Sequence, residues 1–235
     1  MDNLEKGQPD NDHSSKLQRL GEQMATDHGF MGVPSNSFEA AGRNQFVTLL
    51  ELGLLPESRI VEIGCGVLRV AYWLIRFLDP DCYYGIEPAK DRVDMGKQYL
   101  FSPEMLARKN PAFDFNAAFD TSVFNQNFDF FLAGSIWTHC SKHSIQVMLD
   151  GFVDHGTESA VFLASYLPAK NKEDDYQGDR WVGTSHESNE PGCIKHSREW
   201  IVTECQKRGL LVEDLAREAF DSQYWLKITR QKEAI

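Results

Sequence analysis

The chain predicts an α/β fold: a doubly wound, mostly parallel sheet ending in an antiparallel hairpin, preceded by N-terminal cap helices. Three observations carry this. Short β-branched or aromatic runs alternate with helix-compatible segments from residue 57 onward, and such alternation builds a parallel sheet with helices on both faces. The last two apolar runs, 210–215 and 224–229, are separated only by 216–223, too short for a parallel crossover and suited to an antiparallel pair. The 235 residues fit one sizeable α/β unit, a length at which on the order of 70% of the unfolded chain's surface becomes buried without metal or disulfide staples.

The elements follow in order. Residues 1–13 are polar and read as a tail. From Ser14, Leu17, Leu20 and Met24 recur at offsets of three and four, which predicts a short amphipathic helix. Residues 28–34 form a loop by their glycines and proline. Ser37 is placed to cap a helix with the stripe Phe46, Leu49, Leu50 and Leu54, closing near Gly53 and Pro56. The pattern changes at 57: strand 59–63, helix-compatible 67–78, strand 82–86 and a helix from about Ala89. A weak strand at 113–115 and a strong one at 128–133 come next. Helix 143–153, strand 159–167, helix 197–208 and the closing pair complete the series. The division expected is a tail (1–13), cap helices (14–56) and the main domain (57–235). Residues 168–195 interrupt that domain, and Tyr176, Trp181 and Val182 among their glycines and charges read as a lid.

Composition excludes several classes. Lys and Arg number 24 against 35 Asp and Glu, a net charge of −11, which argues against a broad nucleic-acid surface. Apolar runs fall short of the ~18 residues of a membrane span, Arg76 and Asp79 being typical interruptions. Residues 1–16 lack the apolar stretch of a secretory signal. Five cysteines without a C-x-x-C pair read as reduced thiols of a cytoplasmic protein.

The chemistry concentrates where the first strand meets Glu62-Ile63-Gly64-Cys65-Gly66 and then a helix. A glycine turn there admits a ligand to the backbone and sets N–H groups and a helix N-terminus beside it. Glu87 ends the next strand, where a carboxylate can accept both hydroxyl protons of a ribose. A dinucleotide site would require glycine where Arg69 stands, and no P-loop is present. Glu62 opposes a diphosphate but suits a ligand bearing an ammonium and a sulfonium. S-adenosylmethionine has both charges and a ribose.

On these residues the chain resembles the class I S-adenosylmethionine-dependent methyltransferases. Val61-Glu62-Ile63-Gly64-Cys65-Gly66 is similar to their first motif and Tyr84-Gly85-Ile86-Glu87-Pro88 to their ribose-binding second; 128–139 is similar to their fourth strand and the loop beyond. The resemblance spans roughly 36–230 and implies a seven-stranded, Rossmann-like sheet with a terminal antiparallel strand. It departs at Leu68, where many members have glycine. It implies that Gly64, Cys65 and Gly66 line the methionine portion, with Glu62 supporting the turn or the amino group. Glu87 then holds the ribose, Pro88 borders the adenine, Asp120 accepts the adenine amine, and Ala133 and Gly134 present backbone. The residues also admit other readings: Asp120 as a loop carboxylate or helix cap, Glu62 as a carboxylate bonding loop N–H groups. Arg69 is read as a surface or ion-paired residue of the first helix, with cofactor contact as the alternative.

Methyl transfer is an in-line displacement in which alignment supplies much of the rate, and a histidine base assists a hydroxyl acceptor. His139, just past the fourth strand, is the candidate base or substrate orienter; the alternative is a loop histidine that caps the next helix or bonds a backbone carbonyl. Phe30, Trp137, Trp181 and His186 are candidate pocket walls, with core packing as the alternative for the aromatics. His139 and His143 lack a nearby acidic third ligand, so no metal site is expected. The expected protein is a methyltransferase of an O or N atom on a small molecule, yielding S-adenosylhomocysteine, with no nucleic-acid or membrane partner. The N-terminal helices and 168–195 would cover its site. The rivals are a methyltransferase of RNA or protein, and a non-catalytic binding module on the cofactor fold.

Overall fold

Strand β1 (Ile60–Ile63) is buried along its whole length, as a strand covered on both faces must be. It lies between β2 (Tyr83–Ile86) and β4 (Phe128–Ala133), parallel to both. The computed structural model describes residues 12–29, 34–185, 188–220 and 222–231, with the backbone alone at 12–15 and 218. Outward from this centre, β3 (Ala112–Asp114) adds to β2 and β5 (Gly156–Tyr166) to β4, again in parallel. The last strand in the chain, β7 (Tyr224–Arg230), inserts between β5 and β6 (Leu210–Glu218), antiparallel to each. The order is therefore β3-β2-β1-β4-β5-β7-β6, and the closing pair is the hairpin expected.

Helices cover both faces. Against one lie α1 (Asp12–His28), α2 (Phe38–Glu51), α3 (Ala71–Phe77) and α4 (Lys90–Leu100). Their Leu17, Phe38, Leu49, Leu74 and Val93 join Ile60 in one apolar cluster. The other face carries α6 (Lys142–His155) and α7 (Arg198–Gln206), whose Ile145, Phe152 and Ile201 pack on Phe131 and Phe162. Leu17 and Met24 of α1 are wholly buried in the first cluster, so the N-terminal helices share the core of the sheet.

Several boundaries differ from expectation. Helix α1 begins at Asp12 rather than Ser14. Ser37 precedes α2 but its side chain makes no cap hydrogen bond. Turns occupy 67–70, so α3 starts only at Ala71. Helix α5 (Pro103–Lys109) was not anticipated, although Ser102 caps it through Met105 N–H at 3.2 Å and Asn110 closes it in the left-handed region. Those are ordinary start and stop signals, missed because the helix has no buried residue to give an apolar period.

The segment expected as a lid is tied down by its own arms. Tyr176 N–H donates to Lys195 O at 2.9 Å and Ala169 N–H to His196 O at 3.0 Å. Asp175 pairs with Lys142 at the start of α6, 2.6 Å apart and largely sheltered. Among the described residues no helix is long and apolar enough to cross a membrane.

Candidate active site

At the carboxyl end of β1 the chain turns sharply under Ile86, whose carbonyl accepts from Gly64 N–H at 2.8 Å and Cys65 N–H at 3.1 Å. Gly64 has φ +75, and a Cβ there would lie 2.1 Å from Ile136 Cδ1, so only glycine fits. Gly66 has φ +51 with open space where a Cβ would point. Leu68 takes φ +64 at the position where the resemblance has glycine, with its side chain wholly buried. The turn thus keeps the left-handed conformation without the glycine.

Glu87, at the end of β2, braces this turn. Its Oε2 accepts from Gly66 N–H and its Oε1 from Ala89 N–H, each at 3.0 Å. A cavity of about 220 Å³ opens over these groups. Glu62, Gly64, Cys65 and Gly66 line one side of it, and Glu87 and Pro88 another. Gly134, Ser135 and Ile136 enter from the end of β4. His139 and, from the 168–195 segment, Trp181 also line it. This is the carboxyl edge of a parallel sheet, where open α/β folds place ligands.

The electrostatics follow from burial. Desolvation pushes the Glu62 carboxyl up to about 8, against the opposing hydrogen bond from the Tyr83 hydroxyl at 2.6 Å and the nearby Arg69 charge. Desolvation lowers Arg69 to about 10, so it keeps its charge at neutral pH. Burial also pushes the Cys65 and Cys140 thiols up, so neither is a thiolate nucleophile. His139 sits with its ring stacked on Trp181, centroids 5.4 Å apart and 23° between planes. Its Nδ1 lies 2.7 Å from Val182 O, which fixes the proton on Nδ1 and leaves Nε2 an acceptor in the neutral ring. Desolvation lowers its pKa, offset in part by that bond.

The structure brings together Glu62, Gly64, Cys65, Gly66, Glu87 and Pro88, and adds Gly134, His139 and Trp181. It separates three expected residues from them. Asp120 is exposed and off the cavity; its Oδ1 accepts from Ser122 N–H at 2.8 Å, and the Ser122 hydroxyl and N–H hold it below the usual carboxylate range. Its neighbour Phe119, at φ +57, lines the cavity instead. Ala133 is fully buried inside β4, paired with Ala164, and presents nothing to the cavity. Trp137 is a core residue, wholly buried edge-on to Phe162 at 5.8 Å. Phe30 and His186 lie outside the described residues. His143 is on α6, whereas His139 precedes its cap Ser141, so the two do not share a helix. Among the described residues no three His, Cys, Asp or Glu converge as metal ligands.

Arg69 is neither exposed nor ion-paired: it is buried and lines the cavity. Sequence reasoning also missed Gln45, a buried polar residue of α2, and Arg92 on α4, both in the cavity wall. Nothing in a periodic pattern marks which polar residue of a helix meets a site on another element.

No family model matches the chain, and no curated protein sequence matches it. Solved structures do. Magnesium protoporphyrin IX methyltransferase from Synechocystis PCC 6803, solved with S-adenosylhomocysteine bound, superposes with a TM-score of 0.58 at 16% identity over 93% of this chain and 97% of that one. An O-methyltransferase family protein from Burkholderia thailandensis gives 0.61 at 12% identity, over 92% of this chain and 63% of that one. A glycopeptide N-methyltransferase complexed with S-adenosylmethionine gives 0.59 at 12%, over 80% and 94%. The fold is the Rossmann-like fold of the class I S-adenosylmethionine-dependent methyltransferases.

Proposed function

We propose that the protein is an S-adenosylmethionine-dependent methyltransferase that methylates an O or N atom of a small molecule. The observation that carries this is the Glu87 carboxylate bridging to Gly66 at the floor of a cavity on the carboxyl edge of the sheet. The residues present fit the cofactor. Gly66 leaves open the space that a side chain would fill, each Glu87 oxygen retains a lone pair beyond its backbone bond, and Pro88 and Phe119 offer apolar walls. Arg69 supplies a positive charge and Glu62 a carboxyl acceptor, suited to the carboxylate and the ammonium of an amino-acid head.

S-adenosylmethionine, when bound, would supply an electrophilic methyl carbon and a neutral thioether as its leaving group. The protein's part is alignment and proton removal. His139, neutral and held by Val182, takes the acceptor's proton at Nε2. Trp181, Thr184 and Ser185 add walls to the cavity from the 168–195 segment, and a segment folded over the site supports a small acceptor over a macromolecular one.

Calorimetric titration with S-adenosylhomocysteine tests the reading. Saturable micromolar binding, with none for NAD or ATP, is the expected result. Absence of S-adenosylhomocysteine binding by the wild-type protein overturns it.

A further inference from the structure

A guanidinium stands in the wall of the cavity without a counter-charge. Arg69 is 7% exposed; among the described residues its side chain has no hydrogen bond and no ion pair, and Nη1 is shut off from solvent without a partner. Its Cζ lies 5.2 Å from the centroid of Phe220. Helix α2 packs tightly over it: a Cβ on Gly42 would lie 2.8 Å from Arg69 O and 3.2 Å from Arg69 Cγ. The stem is therefore confined beneath the helix. Gln45, one turn along the same face of α2, is also buried in the cavity wall, its carboxamide within 3.2 Å of where a Gly134 Cβ would stand. Glu62 acts on Arg69 through space without reaching it as an ion pair.

A buried cation without a partner is strongly unfavourable, and the planar fork of arginine matches a carboxylate better than any other side chain does. Glu62 on the same cavity adds a carboxyl oxygen that can accept from an ammonium, which makes this end complementary to an ammonium and a carboxylate on one carbon. We propose that Arg69, flanked by Gln45, anchors the carboxylate of the cofactor's methionine head and makes the site select an adenosyl ligand that carries an amino acid. This rests on the cofactor reading above. A carboxylate on the acceptor substrate would satisfy the same guanidinium, and the test separates the two sources.

The probes are S-adenosylhomocysteine and 5′-methylthioadenosine, which keeps the adenosine and sulfur but lacks the amino-acid head. Arg69→Met is expected to weaken S-adenosylhomocysteine at least tenfold, about 1.4 kcal/mol, and 5′-methylthioadenosine less than about twofold. Arg69→Lys keeps the charge without the fork and should fall between. Gln45→Glu, nearly isosteric, should weaken S-adenosylhomocysteine selectively by repulsion; with Arg69→Lys it carries the test if Arg69→Met does not fold. Wild-type protein that binds neither probe overturns the cofactor reading itself. Wild-type binding of both, with S-adenosylhomocysteine unchanged in Arg69→Met, overturns the anchor alone and leaves the guanidinium for a substrate anion. Equal loss of both probes overturns it too, since Arg69 would then act only on the shape of the turn.

Discussion

Glu87 and Gly66 join two strand-to-helix turns that are distant in sequence: the Glu87 carboxylate accepts the Gly66 N–H at 3.0 Å while its other oxygen takes Ala89 N–H. The side chain expected to hold a ribose is thus also the clasp that sets the glycine turn against the second strand. Binding and local architecture depend on the same two oxygens.

Glu87→Gln should therefore behave almost like Glu87→Ala. The amide keeps one acceptor and turns a donor toward a backbone N–H, leaving a buried group unpaired at about 1–3 kcal/mol. Both variants should lose about tenfold or more in S-adenosylhomocysteine affinity and melt several degrees lower. Titration calorimetry beside thermal melts checks this. A Gln variant with wild-type affinity would show that the carboxylate's charge and acceptors are dispensable.

Much of this site was legible because strand, glycine turn and strand-end acid are close in sequence and chemically distinctive. Gly64, Gly66 and Glu87 line one cavity, and β4 has the expected bounds, 128–133. Legibility ended where placement depends on packing between distant segments. Trp137 looked like a pocket wall but faces Phe162, because which side of the loop after β4 turns inward is settled by α6 and β5. Asp120 had the right residue type, yet Asn116 winds the loop by accepting from Asp120 N–H at 2.9 Å, and Phe119 turns to the cavity in its place. Arg69 looked like a surface residue because nothing local shows that α2 and Phe220 enclose it.

Glu62 gives stability a pH dependence of definite sign. The unfolded carboxyl titrates near 4.3, whereas burial holds the folded one up to about 8. Between those values the folded state binds the extra proton, so this contribution is full below about pH 4 and declines as pH rises to about 8. Glu62→Gln should gain on wild type across that window, the difference in urea midpoint growing from pH 5 to about 8 and then levelling. A difference independent of pH would remove Glu62 as its source.

Gly183 fits the 168–195 segment against His139. Its φ is +119, and a Cβ there would stand 2.4 Å from His139 Nδ1 and 3.1 Å from Gly192 O. Gly183→Ala must push this segment off the ring and break the Nδ1 bond to Val182. Amide exchange in 179–196 should quicken about tenfold or more while the sheet stays protected. Resolvation should also raise the His139 pKa from its burial-lowered value, read by NMR titration of the ring. Unchanged exchange and an unchanged titration would mean that the segment does not depend on this contact.

Leu68 poses a contest between strain and packing. Its φ of +64 costs an ordinary residue about 1–2 kcal/mol, which glycine would avoid. Yet its side chain is wholly buried, and α4 comes so close that a Cβ on Gly96 would lie 2.8 Å from Leu68 Cγ. Deleting a buried leucine side chain costs about 2–5 kcal/mol, so packing wins and Leu68→Gly should destabilise despite relieving the backbone. Leu68→Ala loses nearly the same packing and keeps the strain. In an ordinary helical or extended conformation glycine is less stable than alanine by about 0.5–1 kcal/mol; at this turn the order should reverse, with Leu68→Gly equal to or more stable than Leu68→Ala. Denaturant midpoints of the two variants decide it, and an alanine variant clearly more stable than the glycine one would mean that the turn relaxes out of the left-handed region once the leucine is gone.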